Sequence, residues 1–197
     1  MSANDPVVRL AGGTTRETIL VAAQRLFSEQ GYDATSLRQI ADAVGTTKAA
    51  VYYHFPAKEH LLLELTRPWL DDLGRLVTEM RSAAAAPSDV TATLEAYLDL
   101  CLTHLTILNL LANDPATSNH PDIGRRAIAL IETVKQQIAG VEASDAGRVQ
   151  AACAIGAIHA VASLPADVAR AHRTTFLDAA VAALRGGQSS RRNVATQ

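Results

Sequence analysis

Two features of the sequence predict an all-α fold. Ala and Leu dominate the 197 residues, 48% of the residues are hydrophobic and only 4% are aromatic, a composition that favours helices around a sizeable core. Apolar residues recur with helical spacing along most of the chain, and no segment sustains the alternation expected of a strand. We predict about nine helices, arranged as an N-terminal three-helix head and a larger helical-bundle body.

The head is predicted over residues 14–56, after a flexible N-terminus at 1–13. Thr14 and Glu17 have the spacing of a capping box, and Pro56 ends the compact unit. Its three helices are predicted at 14–30, 36–44 and 47–54.

The body is predicted over residues 57–187, followed by a flexible tail at 188–197. Pro68 lies within its first long helix and removes one backbone hydrogen bond, so we expect a kink or break near Arg67. The sequences SAAAAPSD and NDPATSNHPD indicate loops, and Gly186 with Gly187 indicates the end of the last helix. After the long helix from residue 58, further helices are predicted at 89–113, 121–139, 145–163 and 165–185.

Net charge, cysteine content and hydrophobicity limit the binding partners and the cellular compartment that we expect for the protein. The net charge of −2 excludes a globally basic nucleic-acid coat protein but leaves local DNA contact open. Cys101 and Cys153 lie far apart in apolar surroundings, which indicates free thiols in a reducing cytosol rather than a disulfide. Residues 149–166 carry no formal charge, but their polar side chains and Pro165 favour a soluble helix over a membrane span. We therefore expect a cytoplasmic protein with no membrane association.

Residues 37–63 have several features that a helix-turn-helix requires. Ala41 provides a small side chain where the two helices cross, and Gly45 suits a turn with positive φ. Thr46 or Thr47 supplies a hydroxyl that can cap the second helix. Apolar residues at the spacing needed to fix the crossing are Leu37, Ile40, Val44 and Val51.

A helix-turn-helix presents polar and aromatic side chains to DNA. The Tyr53 hydroxyl and His54 can bond to phosphate, and Lys48 can reach phosphate or a guanine edge. For three of these residues a structural role is the alternative to DNA contact. Tyr52 would pack partly into the core, Arg38 would be a solvated surface residue, and Lys58 would pair with a carboxylate. The full predicted DNA-binding set is Thr35, Ser36, Arg38, Thr46, Thr47, Lys48, Ala49, Tyr52, Tyr53, His54 and Lys58.

The segments RETILVAAQRLFSEQGYDA and ATSLRQIADAVGTTKAAVYYHFPAKEHLL closely resemble the TetR family of bacterial transcriptional regulators. The resemblance covers roughly residues 14–63. Thr46 departs from the pattern, because the family often has a small apolar residue after this glycine, and it alters the turn or adds a contact. The resemblance implies a homodimer that binds a palindromic double-stranded DNA operator, with repression as the default.

The resemblance also implies that the last two helices form a four-helix bundle across a two-fold axis. Small residues in the predicted helices permit close approach of a partner, and bulky apolar residues fill the contact. The alternative is that these helices only close the core of the monomer. The predicted dimer residues are Ala152, Ile155, Ile158, His159, Phe176, Ala180 and Leu184.

In the family, the larger domain usually holds a small-molecule pocket. Few charges lie in the central helices, so we expect a largely apolar effector, and core packing is the alternative for each candidate. Pro68 is a candidate for the point where a ligand-induced bend concentrates. The predicted effector-binding residues are Trp69, Tyr97, Cys101, His104, Asn109 and Asn113.

An enzyme and a DNA-binding protein without an effector are the two other function classes to consider. An enzyme is not expected, because no Gly-rich phosphate loop, Gly-x-Ser-x-Gly or His-Glu-x-x-His motif is present. The histidines show no metal-ligand spacing, so neither a metal nor a cofactor is expected. The remaining alternative is a helix-turn-helix DNA-binding protein without a small-molecule effector.

Overall fold

The computed structural model describes residues 14–83, 89–140 and 143–194, and every regular element in these ranges is helical. The predicted all-α fold is confirmed, with eleven α-helices and one short 3-10 helix, Ala160–Ser163. The α-helices are α1 Thr15–Gln30, α2 Leu37–Val44, α3 Lys48–His54, α4 Lys58–Ala83, α5 Val90–Thr103, α6 Leu105–Asn113, α7 Pro115–Ser118, α8 Pro121–Ala139, α9 Asp145–His159, α10 Ala166–Ala171 and α11 Arg173–Val194.

Helices α1–α3 form the head around a small apolar core. Phe27, Ile40, Val51 and Phe55 are all buried there, and burial of each such side chain contributes about 1.5–3 kcal/mol relative to leaving it exposed. The predicted capping box at Thr14 is present, since its side chain accepts from the Glu17 amide while the Glu17 carboxylate accepts from the Thr14 amide.

The body has more helices than predicted because two segments divide. The predicted helix 89–113 breaks at His104 into α5 and α6, which are bent by 80° relative to each other. The loop before α8 contains the short helix α7, which begins at Pro115 with Asp114 as its N-cap. Proline at the first helical position and an aspartate cap explain this turn of helix.

One predicted helix break and one predicted helix end differ from the structure. Helix α4 continues through Pro68 without a break; Pro68 is exposed, so the unpaired carbonyl one turn earlier can be solvated. A kink at this position stays a prediction. Helix α11 continues through Gly186 to Val194, so residues 188–194 are helical rather than a loose tail. The predicted flexible N-terminus and most of the SAAAAPSD loop lie outside the described residues.

Helix α4 leads from the head into the body, where it packs against α5 and α8. Helix α9 lies between α8 and α11, and its contact with α11 is the most extensive in the molecule. Within the described ranges no single helix is long and apolar enough to cross a membrane, and only the bent α5–α6 pair passes a test of length and composition.

Candidate nucleic-acid interface

The turn between α2 and α3 is held by local hydrogen bonds. Gly45 has φ of 73°, a conformation that costs glycine little and other residues more. The Thr46 amide then donates to the Ala41 carbonyl at 3.0 Å. Thr47 is the N-cap of α3, and its hydroxyl accepts from the Ala50 amide at 3.1 Å. The predicted helix-turn-helix conformation is therefore present, with Thr47 rather than Thr46 as the cap.

One side of α3 is open to solvent. Val51 on the opposite side is fully buried in the head, whereas Tyr53 is 85% exposed and Tyr52 44% exposed. The Lys48 ammonium lies 5.2 Å from the centre of the Tyr52 ring, a distance at which a cation and an aromatic face attract. We call the exposed side the reading face of α3; it comprises Thr47, Lys48, Ala49, Tyr52 and Tyr53.

Three other predicted residues lie at the end of α3 or at the start of α2. His54 is half-buried, and its ring meets the Tyr53 ring edge-on at 5.3 Å. Ser36 is exposed and is the N-cap of α2. The Arg38 side chain is 81% exposed, with its Nε 3.9 Å from an Asp42 carboxylate oxygen. An ion pair this open contributes little stability, so the Arg38 guanidinium remains available to another anion.

Thr35 is not a DNA contact but part of the head core. Only 2% of it is exposed, and its hydroxyl donates to the Gly31 carbonyl at 2.8 Å while accepting from Gln30 Nε2 at 3.0 Å. These bonds satisfy groups at the end of α1, where helix carbonyls lack intrahelical donors. The prediction of a phosphate contact by this side chain is therefore wrong.

The Thr35→Val variant is expected to have a free energy of unfolding about 1–2 kcal/mol lower than the native protein, because the buried Gly31 carbonyl loses its hydrogen-bond donor while the shape of the side chain is kept. DNA affinity of the folded protein is expected not to change. Urea denaturation and a DNA titration on the same preparation measure the two quantities. Thr35→Ser retains the hydroxyl and is the control; reduced affinity in Thr35→Val at unchanged stability would contradict the structural role.

Lys58 also serves the fold rather than the DNA surface. Its ammonium donates to the Tyr32 carbonyl at 2.6 Å and the Asp33 carbonyl at 3.3 Å, and it lies 4.1 Å from the centre of the Tyr32 ring. The partners of this ammonium are carbonyls rather than the carboxylate considered as the alternative, and a phosphate contact at Lys58 stays a prediction. Lys58 thereby fixes the start of α4 against the end of α1.

Two positioning residues were missed in the sequence. Gln39 completes a capping box with Ser36, since its Oε1 accepts from the Ser36 amide at 2.8 Å; the spacing of the two residues is a visible signal of this motif. Arg16 lies 4.9 Å from the Phe55 ring and pairs with Glu64 at 2.6 Å. It thus links α1 to the C-cap of α3 and to α4, and no short-range spacing indicates such a link.

The chain is similar in sequence and in fold to known proteins. Residues 19–65 match the sequence model of the bacterial regulatory proteins of the tetR family. Over these residues the chain is similar to the TetR family. The HTH-type transcriptional repressor KstR2 of Rhodococcus jostii is 40% identical over 94 residues, which cover 47% of this chain and 45% of that protein. The chain thus matches only about half the length of this relative.

Longer alignments extend the similarity through the body. The repressor Rv1474c of Mycobacterium tuberculosis is 28% identical over 185 residues, covering 90% of this chain and 86% of that protein. Crystal structures of AmtR from Mycobacterium smegmatis and SCO3833 from Streptomyces coelicolor share the fold with a TM-score of 0.66 each, at 23% and 22% identity. They cover 94% and 92% of this chain, and 97% and 98% of their own. KstR2, Rv1474c and SCO3833 are named as transcriptional regulators rather than enzymes, in agreement with the sequence-based expectation.

The six predicted effector residues do not form one pocket. Trp69, Tyr97 and Cys101 are buried in the core, and His104 Nε2 lies 2.8 Å from an Asp72 oxygen on α4. Asn109 and Asn113 instead line a cleft between α1 and α6. The bend at His104 separates the residues of α5 from those of α6, and an effector contact by any of the six residues stays a prediction.

Tyr97, Cys101 and His159 form a buried polar cluster between α5 and α9. The Tyr97 hydroxyl and His159 Nε2 are 2.6 Å apart, and Cys101 is buried one turn further along α5. Burial raises the pKa of Cys101 to about 12 and raises that of Tyr97. Burial, with a smaller contribution from Lys135, lowers the pKa of His159, so the neutral imidazole shares a hydrogen bond with the Tyr97 hydroxyl.

Stability is expected to fall at acid pH through His159. The pKa of His159 is lowered in the folded protein. As pH falls below about 6.5, His159 is therefore protonated in the unfolded chain before it is protonated in the folded protein, which favours unfolding. The His159 contribution is therefore complete above that pH and is lost as pH falls through the lowered pKa. Comparing the pH dependence of the unfolding free energy with that of His159→Gln checks this, and identical profiles would contradict it.

The predicted dimer residues are divided between the subunit core and the surface. Ile155, Ile158 and Ala180 are at most 1% exposed, and His159 is turned inward to Tyr97. These four residues close the subunit's own core, which was the stated alternative, because α9 and α11 pack against each other. Phe176 and Leu184 are half-buried against the core, and Ala152 alone is exposed. The exposed side of α9 carries Val149, Ala152, Cys153, Gly156 and Ala160.

One cluster of metal-ligating residue types occurs in the described part of the chain. Ligand atoms of Glu59, His120 and Asp122 lie within 4.8 Å of one another. However, His120 Nδ1 accepts the Asp122 amide hydrogen at 3.3 Å, so Nε2 carries the proton and donates to Glu59 Oε1 at 2.9 Å. This bond joins the start of α4 to the start of α8 and leaves no imidazole lone pair for a metal.

Proposed function

We propose that the protein is a transcriptional repressor that binds a palindromic DNA operator as a homodimer in the cytoplasm. The observation that carries the proposal is the reading face of α3, where five neighbouring residues are exposed behind a correctly capped turn. In helix-turn-helix proteins the second helix enters the major groove and its N-terminal residues meet base edges. Thr47, Lys48 and Ala49 occupy that position here.

Selection of binding sequences from a random duplex pool tests the proposal. We expect a palindrome whose half-sites are separated by about one helical turn, 34–36 Å. Affinity for the selected duplex should fall steeply with salt, because Lys and Arg release counterions from phosphates. Selection without enrichment, or of a sequence lacking two-fold symmetry, would contradict the proposal.

Ala49 is expected to contact a thymine methyl group. It is exposed at the N-terminal end of α3, and apolar contact with this methyl distinguishes thymine in the major groove. Replacing the contacted thymine by deoxyuracil removes one methyl, worth about 0.8 kcal/mol or fourfold per half-site. DNA titration should show this loss with the native protein but not with Ala49→Gly. Equal losses in both proteins would exclude the contact.

The exposed side of α9 supports the dimer proposal. Between Arg148 and Asp167 this helix and its continuation carry no Asp, Glu, Lys or Arg, and Val149 is 61% exposed. Cys153 lies in the middle of this side, while Cys101 is buried and serves as an unreactive internal control. Maleimide labelling of Cys153 should be slow in the dimer and accelerate on dilution. Rapid labelling under conditions where sedimentation shows a dimer would place the interface elsewhere.

A small, largely apolar effector that releases the operator belongs to the same proposal. The cavity that supports it has a volume of about 290 Å³ and lies between α4, α5 and α8. Its lining is mainly apolar, with Leu76, Met80, Val90 and Ile138, but it also includes Glu79 and Asp89. A ligand that binds only the folded state raises its stability, so thermal shift against a compound library identifies candidates. If every stabilising compound leaves operator affinity unchanged, the alternative without an effector is favoured.

A further inference from the structure

One hydrogen bond joins the head to the helices that follow α4. The Tyr32 amide, in the link between α1 and α2, donates to Asp114 Oδ2, between α6 and α7, at 2.6 Å. The other polar links of the head lead only to α4. Among the described residues, no second hydrogen bond or ion pair connects the head to a helix after α4.

Asp114 is held firmly in the body. Its Oδ1 accepts the Ala116 amide at 2.9 Å, which makes it the N-cap of α7, and its backbone carbonyl accepts the Thr117 hydroxyl at 2.7 Å. Pro115 follows it and fixes the backbone angle φ at the first helical position. Because each carboxylate oxygen has a partner, the side chain cannot rotate without losing a hydrogen bond.

Tyr32 is held at three points in the head. Its amide is bonded to Asp114, its carbonyl accepts from the Lys58 ammonium at 2.6 Å, and its ring meets the Phe27 ring edge-on at 5.1 Å. The body, α4 and the core of the head therefore all contact this one residue. Displacing Asp114 moves a residue to which both the head core and α4 are attached.

The Tyr32–Asp114 bond is a second attachment of the head to the body. The first is α4, which continues the chain beyond α3 and packs against α1. Bending of this one helix would turn the head, and a hydrogen bond to a charged acceptor, which is about twice as strong as a neutral one, restricts that turn. In a two-fold dimer the angle of each head sets the distance between the two reading faces, which the half-sites of an operator must match.

We propose that Asp114 is a positioning residue for operator recognition. By holding the Tyr32 amide it fixes the angle of the head on the body, and this angle determines which half-site spacing the dimer accepts. Asp114 is half-buried and carries a carboxylate, so it acts through Tyr32 rather than by contact with DNA. The inference rests on the proposed function, because a half-site spacing exists only if a dimer binds a palindrome.

Asp114→Asn and Asp114→Ser test the bond in the full chain without DNA. Both replacements can still cap α7, but neither has a second carboxylate oxygen for the Tyr32 amide. We expect hydrogen exchange of this amide, measured by NMR, to accelerate at least about tenfold in both variants, because a hydrogen bond to a charged group is lost. The matched control is Asp89→Asn. Asp89 caps α5 with the same geometry, Oδ1 to the Thr91 amide at 2.9 Å, and among the described residues it bonds only to α5.

Operator spacing tests the consequence of the bond. The affinity of each protein is measured for the selected operator and for duplexes with one base pair added or removed between the half-sites, which turns one half-site by about 35°. The native head must break the Tyr32–Asp114 bond to follow this turn, whereas the variants have already lost it. We expect the ratio of the two affinities to shrink about tenfold in both Asp114 variants but not in Asp89→Asn. A general loss of stability weakens binding to both duplexes alike and leaves the ratio unchanged.

The outcomes separate the bond, its role and the proposed function. Unchanged exchange of the Tyr32 amide would overturn the bond, and faster exchange with an unchanged affinity ratio would overturn the positioning role. An equal fall of the ratio in Asp89→Asn would assign the effect to the loss of a charge on the body and overturn the role as well. If no palindromic operator is selected, the proposed function fails and the positioning role fails with it, whereas faster exchange still supports the attachment of the head to the body.

Discussion

Tyr53→Ala is expected to weaken operator binding about a hundredfold without changing the free energy of unfolding. Tyr53 is 85% exposed, so its removal leaves no cavity. A hydrogen bond from its hydroxyl to a phosphate contributes about 1.5 kcal/mol, and a two-fold dimer loses this bond at both half-sites. The combined loss of about 3 kcal/mol corresponds to the hundredfold change.

Fluorescence anisotropy with the selected duplex measures this loss of affinity. Two further variants, Tyr53→Phe and Lys48→Ala, identify the contact from which it comes. Tyr53→Phe keeps the ring and removes the hydroxyl, so it separates the phosphate bond from ring packing against a sugar or methyl. Lys48→Ala should flatten the salt dependence because a cation leaves the interface, whereas Tyr53→Ala should not. If Tyr53→Ala binds as tightly as the native protein, α3 does not enter the groove in the proposed way.

The head could be predicted well because its signals are local. Gly45, the Thr47 cap and the Thr14–Glu17 capping box each act within about four residues. The spacing of residues in the sequence is enough to predict such short-range hydrogen bonds. The exposure of Tyr53 follows in the same way, because Val51 and Phe55 occupy the opposite side of a short helix.

Long-range partners could not be predicted in this way. Lys58 meets a carbonyl 26 residues away, and Tyr97 meets a histidine 62 residues away. Helical periodicity identifies an apolar stripe but not the helix that covers it. The sequence therefore predicts a partner subunit over the side of α9 that carries Ile155 and Ile158, with the monomer core as the alternative, and in the structure α11 of the same chain packs against α9.

Gly124→Ala is expected to destabilise the body by about 1–3 kcal/mol, as overpacking against a rigid neighbour does. Gly124 is buried near the start of α8, and a methyl group added there would overlap the carbonyl oxygen of Ser118. This neighbour is backbone at the end of α7, so no side-chain rotation relieves the overlap. Only a shift of the α7–α8 turn, which also carries the His120–Glu59 bond to α4, can make room.

The matched control is Gly74→Ala on α4, where the nearest atom to an added methyl is the flexible end of Arg126 at 4.0 Å. In an open helix interior this change stabilises by about 0.5–1 kcal/mol, because alanine has less backbone freedom to lose than glycine. Urea denaturation should therefore give opposite signs for the two variants. If both stabilise the protein, α8 does not approach Ser118 closely; if both destabilise it, α4 is more tightly packed at Gly74 than the structure shows.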